Sequence, residues 1–596
     1  MNRKVFDLEI NITLTAPYLV HGNDPGRWGL DATLMLDAAS RPGMSQPILP
    51  GSLLAGRIVE TWQSCGNDLG GVRPEHWFGE SGGSGKSNSR ARLLVDDLKL
   101  THVDGEPFDT KIVAPEITRI RESKAMGAVI PGALLVIEQA AEEGATLAFT
   151  GTWRCWATDA EIEPLRAKLR VATVAQTQLG AMRNVGFGRL TSARYAQTEV
   201  TPRAFALPKF ETTHRLALKP RHPLCVGAQS RRGNVFESSD IITGATLLGA
   251  LATMLASRHG KTSIQGINSP LARHFSSLRV THALPTPVGQ PRPLPLPQSL
   301  VSLNDKIFDA ARLDKPPEHL TATPAFQTDW KHHPDANGWG ATHGHLRVRT
   351  DIDARGTAKA SSLFAYECIT PALDDEHTAT TEWLCDLDLS GVMQADERAA
   401  VASELDSLLA FGIFPLGKTD AIADVDLVST NDPRSGNVWS SGIDTVQKGR
   451  LVPLLLVTDA MLFPTDHILT AVELVDVYRR AFDELIPAGS EGALRLHHHF
   501  ATQRLEGGDF LNHRYMRPKG RNYQPWVLTE AGSVFVFEIL DTSRASNILR
   551  SWQSHGLGLP RSVVSVYGGD WTDLPYLPHC GYGEVIVDPT HGFDSL

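Results

Sequence analysis

Three aspartates lie in one glycine-rich stretch near the start of the chain. Asp24, Asp31 and Asp37 fall between His21 and Gly56, in the sequence HGNDPGRWGLDATLMLDAASRPGMSQPILPGSLLAG. A carboxylate in a loop can draw a proton from a hydroxyl or hold a hydrated divalent ion against a phosphate. Asp24 belongs to an Asn-Asp-Pro-Gly turn sequence that accounts for it without chemistry. Asp31 and Asp37 therefore remain candidates, although most loop aspartates are structural or solvated.

The stretch is bounded by two elements that would position it. An alternating apolar run before it predicts a strand (Leu8, Ile10, Ile12 and Leu14). After it, a helix is predicted from about Leu53 to Gln63, with Ser52 as its capping residue. A strand followed by a glycine-containing helix start returns over residues 216–250, which indicates a duplicated unit. No acid returns there at the equivalent of Asp31.

Length and composition limit the class of protein. A chain of 596 residues is too long for one core and predicts three or four domains. No apolar run approaches eighteen residues, and the N-terminus runs directly into a predicted strand, so we expect a cytoplasmic protein without a membrane segment. Six scattered cysteines without a CxxC pair argue against a disulfide scaffold and a zinc knuckle.

The net charge of −10 opposes RNA binding, because affinity for phosphates normally comes from Lys and Arg. Much of the imbalance lies in residues 371–430, which hold thirteen acidic residues against Arg398 and Lys418. The rest of the chain is close to neutral, so a local basic groove is compatible with the composition. The acidic segment itself is interpreted as a solvated face or, alternatively, a partner surface.

A nucleotide-binding loop is rejected on spacing. Gly85-Lys86-Ser87 resembles the end of GxxxxGK[ST], but that motif requires glycine at position 80, where Glu80 stands. A hydrolase that uses the loop from Gly79 to Ser87 is therefore a remote alternative, and no nucleotide cofactor is expected.

Two further segments of the N-terminal part have residues that suit RNA, although taken alone they are weak evidence for it. Strand-like runs between Ile117 and Phe149 flank a basic segment with an apolar tip, in which arginines can meet phosphates and an apolar side chain can wedge between bases. An ordinary exposed hairpin is the alternative. A glycine-rich turn at residues 180–189 follows a helix predicted at about Ala160 to Leu179, and its glycines would let backbone N–H groups approach phosphate oxygens.

The C-terminal part offers a basic and aromatic centre between Arg504 and Trp526. Its interleaving of rings, Tyr515 and Tyr523 among them, with cations is typical of single-stranded RNA binding. The run His497-His498-His499 invites a metal site, but adjacent residues of a strand point to opposite faces, so we expect exposed residues instead. The pairs His332-His333 and His343/His345 are interpreted in the same way.

Five motifs in order carry a family resemblance. After the first strand and glycine loop come GSLLAG at 51–56, WFG at 77–79, SRARL at 89–93 and RNVGFGR at 183–189. This order resembles the RAMP superfamily, the guide-RNA-binding subunits of CRISPR effector complexes. Residues 1–205 look like a backbone subunit of a type III complex, and the remainder resembles, on weaker motifs, the subunit that caps the 5′ handle of the guide.

The resemblance implies an α+β fold of repeated ferredoxin-like units with inserted loops and hairpins. It implies a backbone-type domain at 1–205 with a thumb-like hairpin and a cleavage loop, a second domain at 211–430 with a proline-rich insertion and the acidic segment, and a third at 431–596. The second domain would close at Phe414 to Ala421, whose glycine loop departs from the family pattern and puts RNA contact there in doubt.

The implied function is guide-RNA (crRNA) binding, with cleavage of guide-paired target RNA by Asp31. The implied partners are crRNA, complementary target RNA and other RAMP subunits, and a divalent ion (Mg²⁺ or Mn²⁺) could serve cleavage. A structural subunit that binds guide RNA but cuts nothing is the alternative. The predicted RNA-binding residues are His21, Arg57, Arg119, Arg121, Lys124, Met126, Arg183, Asn184, Gly186, Phe187, Gly188, Arg189, Arg514, Arg517, Lys519 and Arg521.

Overall fold

Three antiparallel sheets of the same topology form the body of the chain. The computed structural model describes residues 3–22, 29–37, 45–65, 73–79, 90–109, 115–120, 122–123, 125–208, 211–227, 229–231, 234–303, 306–312, 338–352, 358–373, 378–470 and 473–591. Helices and antiparallel strands are both present, which confirms the α+β class predicted from the sequence.

The first unit comprises nine strands and three helices. Its strands are β1 Lys4–Thr15, β2 Ile48–Leu49, β3 Leu93–Leu94, β4 Leu98–Val103, β5 Glu106–Pro107, β6 Glu116–Arg119, β7 Leu135–Glu138, β8 Thr146–Ala157 and β9 Arg189–Glu199. Its helices are α1 Gly51–Ser64, α2 Glu75–Phe78 and α3 Asp159–Val174. The sheet has the order β4-β8-β1-β9 at its centre, and β6 and β7 form a separate hairpin.

The second unit contains the longest hairpin of the described chain, β17 with β18. The strands are β10 Thr213–Pro220, β11 Gln229–Arg231, β12 Val235–Glu237, β13 Arg279–Val280, β14 Leu284–Pro287, β15 Leu300–Leu303, β16 Lys306–Asp309, β17 Thr342–Ile352, β18 Ala358–Pro371, β19 Thr381–Asp388, β20 Ile413–Leu416 and β21 Ala421–Leu427. The helices are α4 Gly244–Arg258, α5 Pro270–His274 and α6 Ala395–Leu409. The central order is β13-β19-β10-β21.

The third unit repeats the arrangement of strands and helices seen in the first two. Its strands are β22 Ser440–Ser441, β23 Leu451–Leu456, β24 Leu494–Phe500, β25 Gln503–Glu506, β26 Trp526–Thr529, β27 Val534–Ile539, β28 Val585–Val587 and β29 Pro589–Thr590. Its helices are α7 Thr465–Thr470, α8 Leu474–Leu485, α9 Asp509–Leu511, α10 Thr542–His555 and α11 Arg561–Tyr567. The order β24-β27-β23-β28 repeats that of the other two sheets.

Each unit therefore runs strand, helix, strand, strand, helix, strand, and its first strand lies between the third and the fourth. Each also carries an inserted hairpin at the same place, between its second and third strand: β6–β7, β17–β18 and β25–β26. This placement gives the three insertions equivalent positions on their sheets.

The predicted first strand is confirmed. The four apolar residues of its alternating run are at most 2% exposed, while Glu9 and Asn11 between them are exposed. Burying each such side chain is worth roughly 1.5–3 kcal/mol, so the alternation fixes which face of the sheet meets the helices.

The predicted cap of α1 is wrong. The helix begins at Gly51, and the residue before it, Pro50, has no side chain that can cap it. The Gly51 N–H instead donates to Asp97 Oδ1 at 3.0 Å. A Cβ on Gly51 would lie 2.1 Å from the Asp96 carbonyl oxygen, so this glycine is required by close packing of the helix start against the segment before β4.

The acidic residues of 371–430 are largely paired within the chain. Six of their ten described carboxylates pair with Arg or Lys side chains, namely Asp386 with Arg215, Asp424 with Arg221, Asp426 with Lys219, Glu382 with Arg434, Asp420 with Arg90 and Glu397 with Arg273. The acidic segment is thus largely neutralised within the chain.

A buried ion pair joins the second and third units. The Arg292 guanidinium, fully buried, donates to both carboxylate oxygens of Glu584 at 2.6 and 2.9 Å and to the His282 carbonyl oxygen at 2.9 Å. Among the described residues, no helix is both long and apolar enough to span a membrane.

Candidate nucleic-acid interface

The loop that carries Asp31 is held along the inserted hairpin of the first unit. Asp31 Oδ2 accepts a hydrogen bond from the Val136 N–H at 2.8 Å, and the Asp31 N–H donates to the Val136 carbonyl oxygen at 2.9 Å. Ala32 then pairs with Ile137 in a parallel bridge. The carboxylate is exposed, and within the described chain Oδ1 has no hydrogen-bond partner. One oxygen is thereby fixed and the other faces solvent.

The other two acids of the loop differ from Asp31. The Asp37 side chain is only 8% exposed and pairs with Lys99 Nζ at 2.7 Å, while its N–H donates to the Gln46 carbonyl oxygen. These contacts tie the loop to β4, so Asp37 is a structural residue. Asp24 lies outside the described residues.

The glycine-rich turn packs on the segment that follows β1. The Gly188 N–H donates to the Pro17 carbonyl oxygen at 2.7 Å, and a Cβ on Gly188 would lie 1.8 Å from the Leu179 carbonyl oxygen. Gly186 has a φ of +94°, and a Cβ there would meet nothing within 4 Å. Gly188 is thus required by the fold, whereas Gly186 lies open at the surface.

Arg119 connects the hairpin to this turn. Its guanidinium lies 4.9 Å from the Phe187 ring centroid, and Nη2 donates to the Val185 carbonyl oxygen at 3.4 Å. Phe187 is fully buried, so its ring supports the turn and offers no stacking surface. The acid loop, hairpin and turn therefore form one continuous surface.

Three of the four arginines on this surface lack counterions within the described chain, and the fourth, Arg57, pairs with Glu60. Among the described residues no carboxylate lies within 4.0 Å of Arg119, Arg183 or Arg189. Burial lowers the pKa of Arg57, and the nearby positive charge of Arg183 lowers it further, while Glu60 acts in the opposite direction. Arg57 and Arg183 together outnumber the single carboxylate of Glu60, so this part of the surface keeps a positive charge that an anion would stabilise.

The structure describes three of the remaining predicted residues of the first unit. His21 and Asn184 are exposed, and the backbone of His21 bridges to Leu34 at the base of the acid loop. Met126 is 80% exposed at the hairpin tip. Arg121 and Lys124 lie outside the described residues.

The equivalent turns of the other two units are closed. In the second unit a Cβ on Gly417 would lie 2.2 Å from the Cys225 carbonyl oxygen, and the Lys418 ammonium sits 3.3 Å from the Phe236 ring centroid. In the third unit a Cβ on Gly581 would lie 2.5 Å from Nδ1 of His282 in the second unit. Of the three turns, all within the described residues, only the first has a glycine with open space beside it, Gly186, and arginines without counterions next to it.

The four predicted cations of the C-terminal basic cluster fall into two groups, two that are exposed and two that are paired within the chain. Arg514 and Arg517 are exposed. Lys519 pairs with Asp573, and Arg521 Nη1 donates to the Tyr567 carbonyl oxygen at 3.2 Å, so both cations are engaged internally.

The aromatic rings of this cluster likewise include buried and exposed ones. Tyr515 and Trp526 are buried at 7% and 1% exposure and pack edge to face, which removes both from base stacking. Tyr523 is 51% exposed.

The histidine run does not build a metal site. A bulge between Leu496 and His498 brings Nδ1 of His497 and Nδ1 of His498 within 2.8 Å, so these neighbours do not simply face opposite ways. Across the described residues, no three His, Cys, Asp or Glu side chains are placed to share an ion. The pair at 332–333 lies outside them.

Comparisons with known proteins leave the family open. No family model matches the chain, and no curated protein matches it. The chain is similar to one chain of the cryo-EM structure of the Type III-B Cmr-beta bound to cognate target RNA and AMPPnP, state 1, with 13% identity, a TM-score of 0.29, and coverage of 57% of this chain and 88% of that chain.

A second similar chain is from the cryo-EM structure of the Type III-B Cmr-beta bound to cognate target RNA. Its identity is 15% and its TM-score 0.22, with coverage of 32% of this chain and 61% of that chain. Scores this low establish neither the family nor the activity of the present chain.

Proposed function

We propose that the chain is a guide-RNA-binding subunit of a type III CRISPR effector, built of three ferredoxin-like RAMP units over residues 1–205, 211–430 and 431–596. The carrying observation is that the first unit brings the Asp31 loop, the hairpin and the open glycine turn onto one surface with uncompensated arginines. The N–H groups of residues 185–188 already donate to carbonyl oxygens of the chain, so the guanidinium groups would make the phosphate contacts, and the missing Cβ of Gly186 would leave room for the RNA backbone.

Target RNA paired with the guide would cross this surface, with the hairpin distorting the duplex beside Asp31. The exposed Met126 and Leu134 of the hairpin supply apolar surface for separating bases. The third unit would contact the guide 5′ handle through its exposed cations, Arg514 and Arg517.

The chemical step assigned to Asp31 is proton abstraction from a target 2′-hydroxyl. The deprotonated oxygen attacks the adjacent phosphorus in line, the bond to the 5′-oxygen breaks, and that oxygen takes a proton from water, so the products are a 2′,3′-cyclic phosphate and a 5′-hydroxyl. Val136 keeps the carboxylate in place through Oδ2, which leaves Oδ1 to take the proton.

A divalent ion fits this site only in part. Asp31 Oδ1 is a suitable hard oxygen ligand, and the other ligands would be water and RNA phosphates, as is common for Mg²⁺. Such an ion would supply charge stabilisation at the phosphate.

A second candidate function is a structural guide-binding subunit that cuts nothing. The observation that favours it is the Asp31–Val136 hydrogen bond, since an aspartate that docks a loop on a strand already has a structural role. Under this alternative the carboxylate could be replaced by any acceptor of the same shape.

The test of the proposed function is purification of the chain from cells that express a guide array. We expect a short RNA with a defined 5′ end to copurify and the affinity for guide to fall steeply with salt, because bound counterions are released. Protein that is free of RNA and does not shift guide RNA in gels would reject both candidates.

A further inference from the structure

One sheet face of the second unit carries a row of aromatic rings. β18 pairs with β17 and, in parallel, with β12, and this register places Phe236 opposite Tyr366. Phe364, two residues earlier in β18, lies on the same face because side chains alternate along a strand. The ring centroids are 5.5 Å apart for Phe236 and Tyr366, and 5.4 Å apart for Phe364 and Tyr366. All three rings are half-buried.

Two cations lie on these rings. Lys418 Nζ is 3.3 Å from the Phe236 centroid, and the Arg349 guanidinium is 5.6 Å from the Tyr366 centroid. Among the described side chains neither cation lies within 4.0 Å of a carboxylate. The set of Phe236, Phe364, Tyr366, Arg349 and Lys418 is called the aromatic face below.

The aromatic face begins where the second unit contacts the first. Arg347, opposite Tyr366 in the register, pairs with Asp97 of the first unit at 2.8 Å, and both side chains are largely buried. Asp97 also accepts the Gly51 N–H at the start of α1. Arg349 and Phe364 come one repeat further along the strands, roughly 7 Å beyond this anchor. The row therefore extends outward from the contact between the two units.

The combination of rings and cations on the aromatic face indicates which ligand it could bind. If the rings only formed part of a hydrophobic core, they would be fully buried. If the ligand were an acidic peptide, it would pair with the two cations but would leave the three rings without a role. Planar bases stack on aromatic rings while guanidinium and ammonium groups meet the phosphates between them. We propose that the aromatic face binds an unpaired stretch of RNA by base stacking, and this inference rests on the proposed function, which supplies the RNA.

The test compares two neighbouring alanine variants of the full chain. Phe364→Ala removes one ring of the row, and Leu363→Ala removes an adjacent side chain that is 59% exposed on the opposite face of β18. The probe is a single-stranded RNA of about 16 nucleotides, labelled for anisotropy and carrying 2-aminopurine, whose fluorescence is quenched on stacking.

We expect Phe364→Ala to weaken RNA affinity by about tenfold and to reduce the quenching, and Leu363→Ala to stay within about twofold of wild type. Phe364→Trp should bind RNA about as tightly as the wild type, since the larger indole ring still provides a surface on which a base can stack. Thermal unfolding of each variant separates lost binding from lost structure.

The outcomes distinguish the two proposals. RNA binding by the wild type with equal affinity and quenching in Phe364→Ala overturns the aromatic face and leaves the proposed function standing. Absence of RNA binding by the wild type overturns both. Equal loss in the two alanine variants, or loss of a copurifying protein with RNA affinity unchanged, also overturns the aromatic face.

Discussion

Asp31 and Val136 hold each other through two hydrogen bonds, although 105 positions separate them in the chain. The Asp31 backbone N–H donates to the Val136 carbonyl oxygen while the Asp31 carboxylate accepts from the Val136 N–H. The pairing fixes the position of the carboxylate relative to the hairpin of the same unit. Under the proposed function Asp31 therefore has two roles, docking of the loop through a hydrogen bond and proton transfer through its charge. Different substitutions can remove one role without the other.

Asp31→Asn should abolish target cleavage while the loop stays docked. The amide oxygen still accepts from Val136, but the group can no longer take a proton, so we expect the cleavage rate to fall by roughly 10²-fold or more. Guide and target affinity should remain within about twofold, because no bulk is added. Single-turnover cleavage of labelled target RNA measures the rate.

Asp31→Ala is the companion variant. It should lose cleavage and also loosen the loop, seen as faster amide exchange at Val136. Normal cleavage by Asp31→Asn would identify Asp31 as a structural residue and assign the cleavage to a different group. A 2′-deoxy sugar at the scissile position should block cleavage in the wild type, since the attacking oxygen is missing.

Gly186 and Gly188 should respond differently to substitution. Gly186→Asn places a side chain in open space and suits a positive φ, so the fold should persist while RNA affinity falls. Gly489→Asn, at an equally open glycine with a φ of +86° in the third unit, is the matched control and should bind as wild type. Gel shifts with guide RNA measure both.

Gly188→Ala should instead destabilise the first unit, because its Cβ cannot fit beside the Leu179 carbonyl oxygen. We expect a loss of about 2 kcal/mol or more in unfolding free energy. Thermal unfolding checks it. A stable, RNA-binding Gly188→Ala variant would contradict the assigned packing.

Breaking the ion pair between Arg292 and Glu584 should uncouple the second and third units. Glu584→Gln leaves a buried guanidinium without its counterion, at a cost of roughly 3–5 kcal/mol. Calorimetry should show an earlier transition for the affected part of the chain. Arg495→Gln, which breaks an exposed pair with Glu538, is the control and should change stability by less than about 1 kcal/mol.

Glu161 should contribute to acid resistance. Burial alone would raise its pKa, but hydrogen bonds from Arg3 and the Thr158 N–H and the charge of Arg92 lower the pKa to about 2 from 4.5. The folded state therefore favours the ionised carboxylate. The stabilisation is complete above about pH 4.5 and is lost as the pH falls toward 2.

Glu161→Gln should accordingly lower the unfolding free energy by about 2 kcal/mol at neutral pH, allowing for partial exposure of the group. The difference from wild type should shrink as the pH approaches about 3. Urea unfolding across this range measures it. A difference that is independent of pH would assign the effect to packing.

Local patterns predicted much of the fold. The first strand follows from its alternating residues, and the helix expected at about Ala160 to Leu179 is present as α3. Ser52, predicted as the capping residue of α1, lies one position inside the helix, which begins at Gly51. These successes and the partial miss share a cause, since hydrophobic periodicity reports the type of an element better than its ends.

The site depends on contacts between distant segments, which spacing along the chain does not encode. Asp37 looked comparable with Asp31 until the structure paired it with Lys99 and buried it. The ring of Trp526 looked available for stacking until the structure packed it in the core. The assignments of RNA contacts and of domain boundaries remain predictions.

Two of the three glycine turns have no room for a ligand beside their glycine, and this limits how much RNA one molecule can bind through such turns. Lys418 is already engaged by Phe236, and Gly581 lies against His282. A nuclease-protection footprint should therefore show one turn-bound phosphate per molecule, and any further protection should come from the aromatic face and from Arg514 and Arg517. Repeating the turn contact along a guide would require additional separate subunits, because this polypeptide has no second open turn among its described residues.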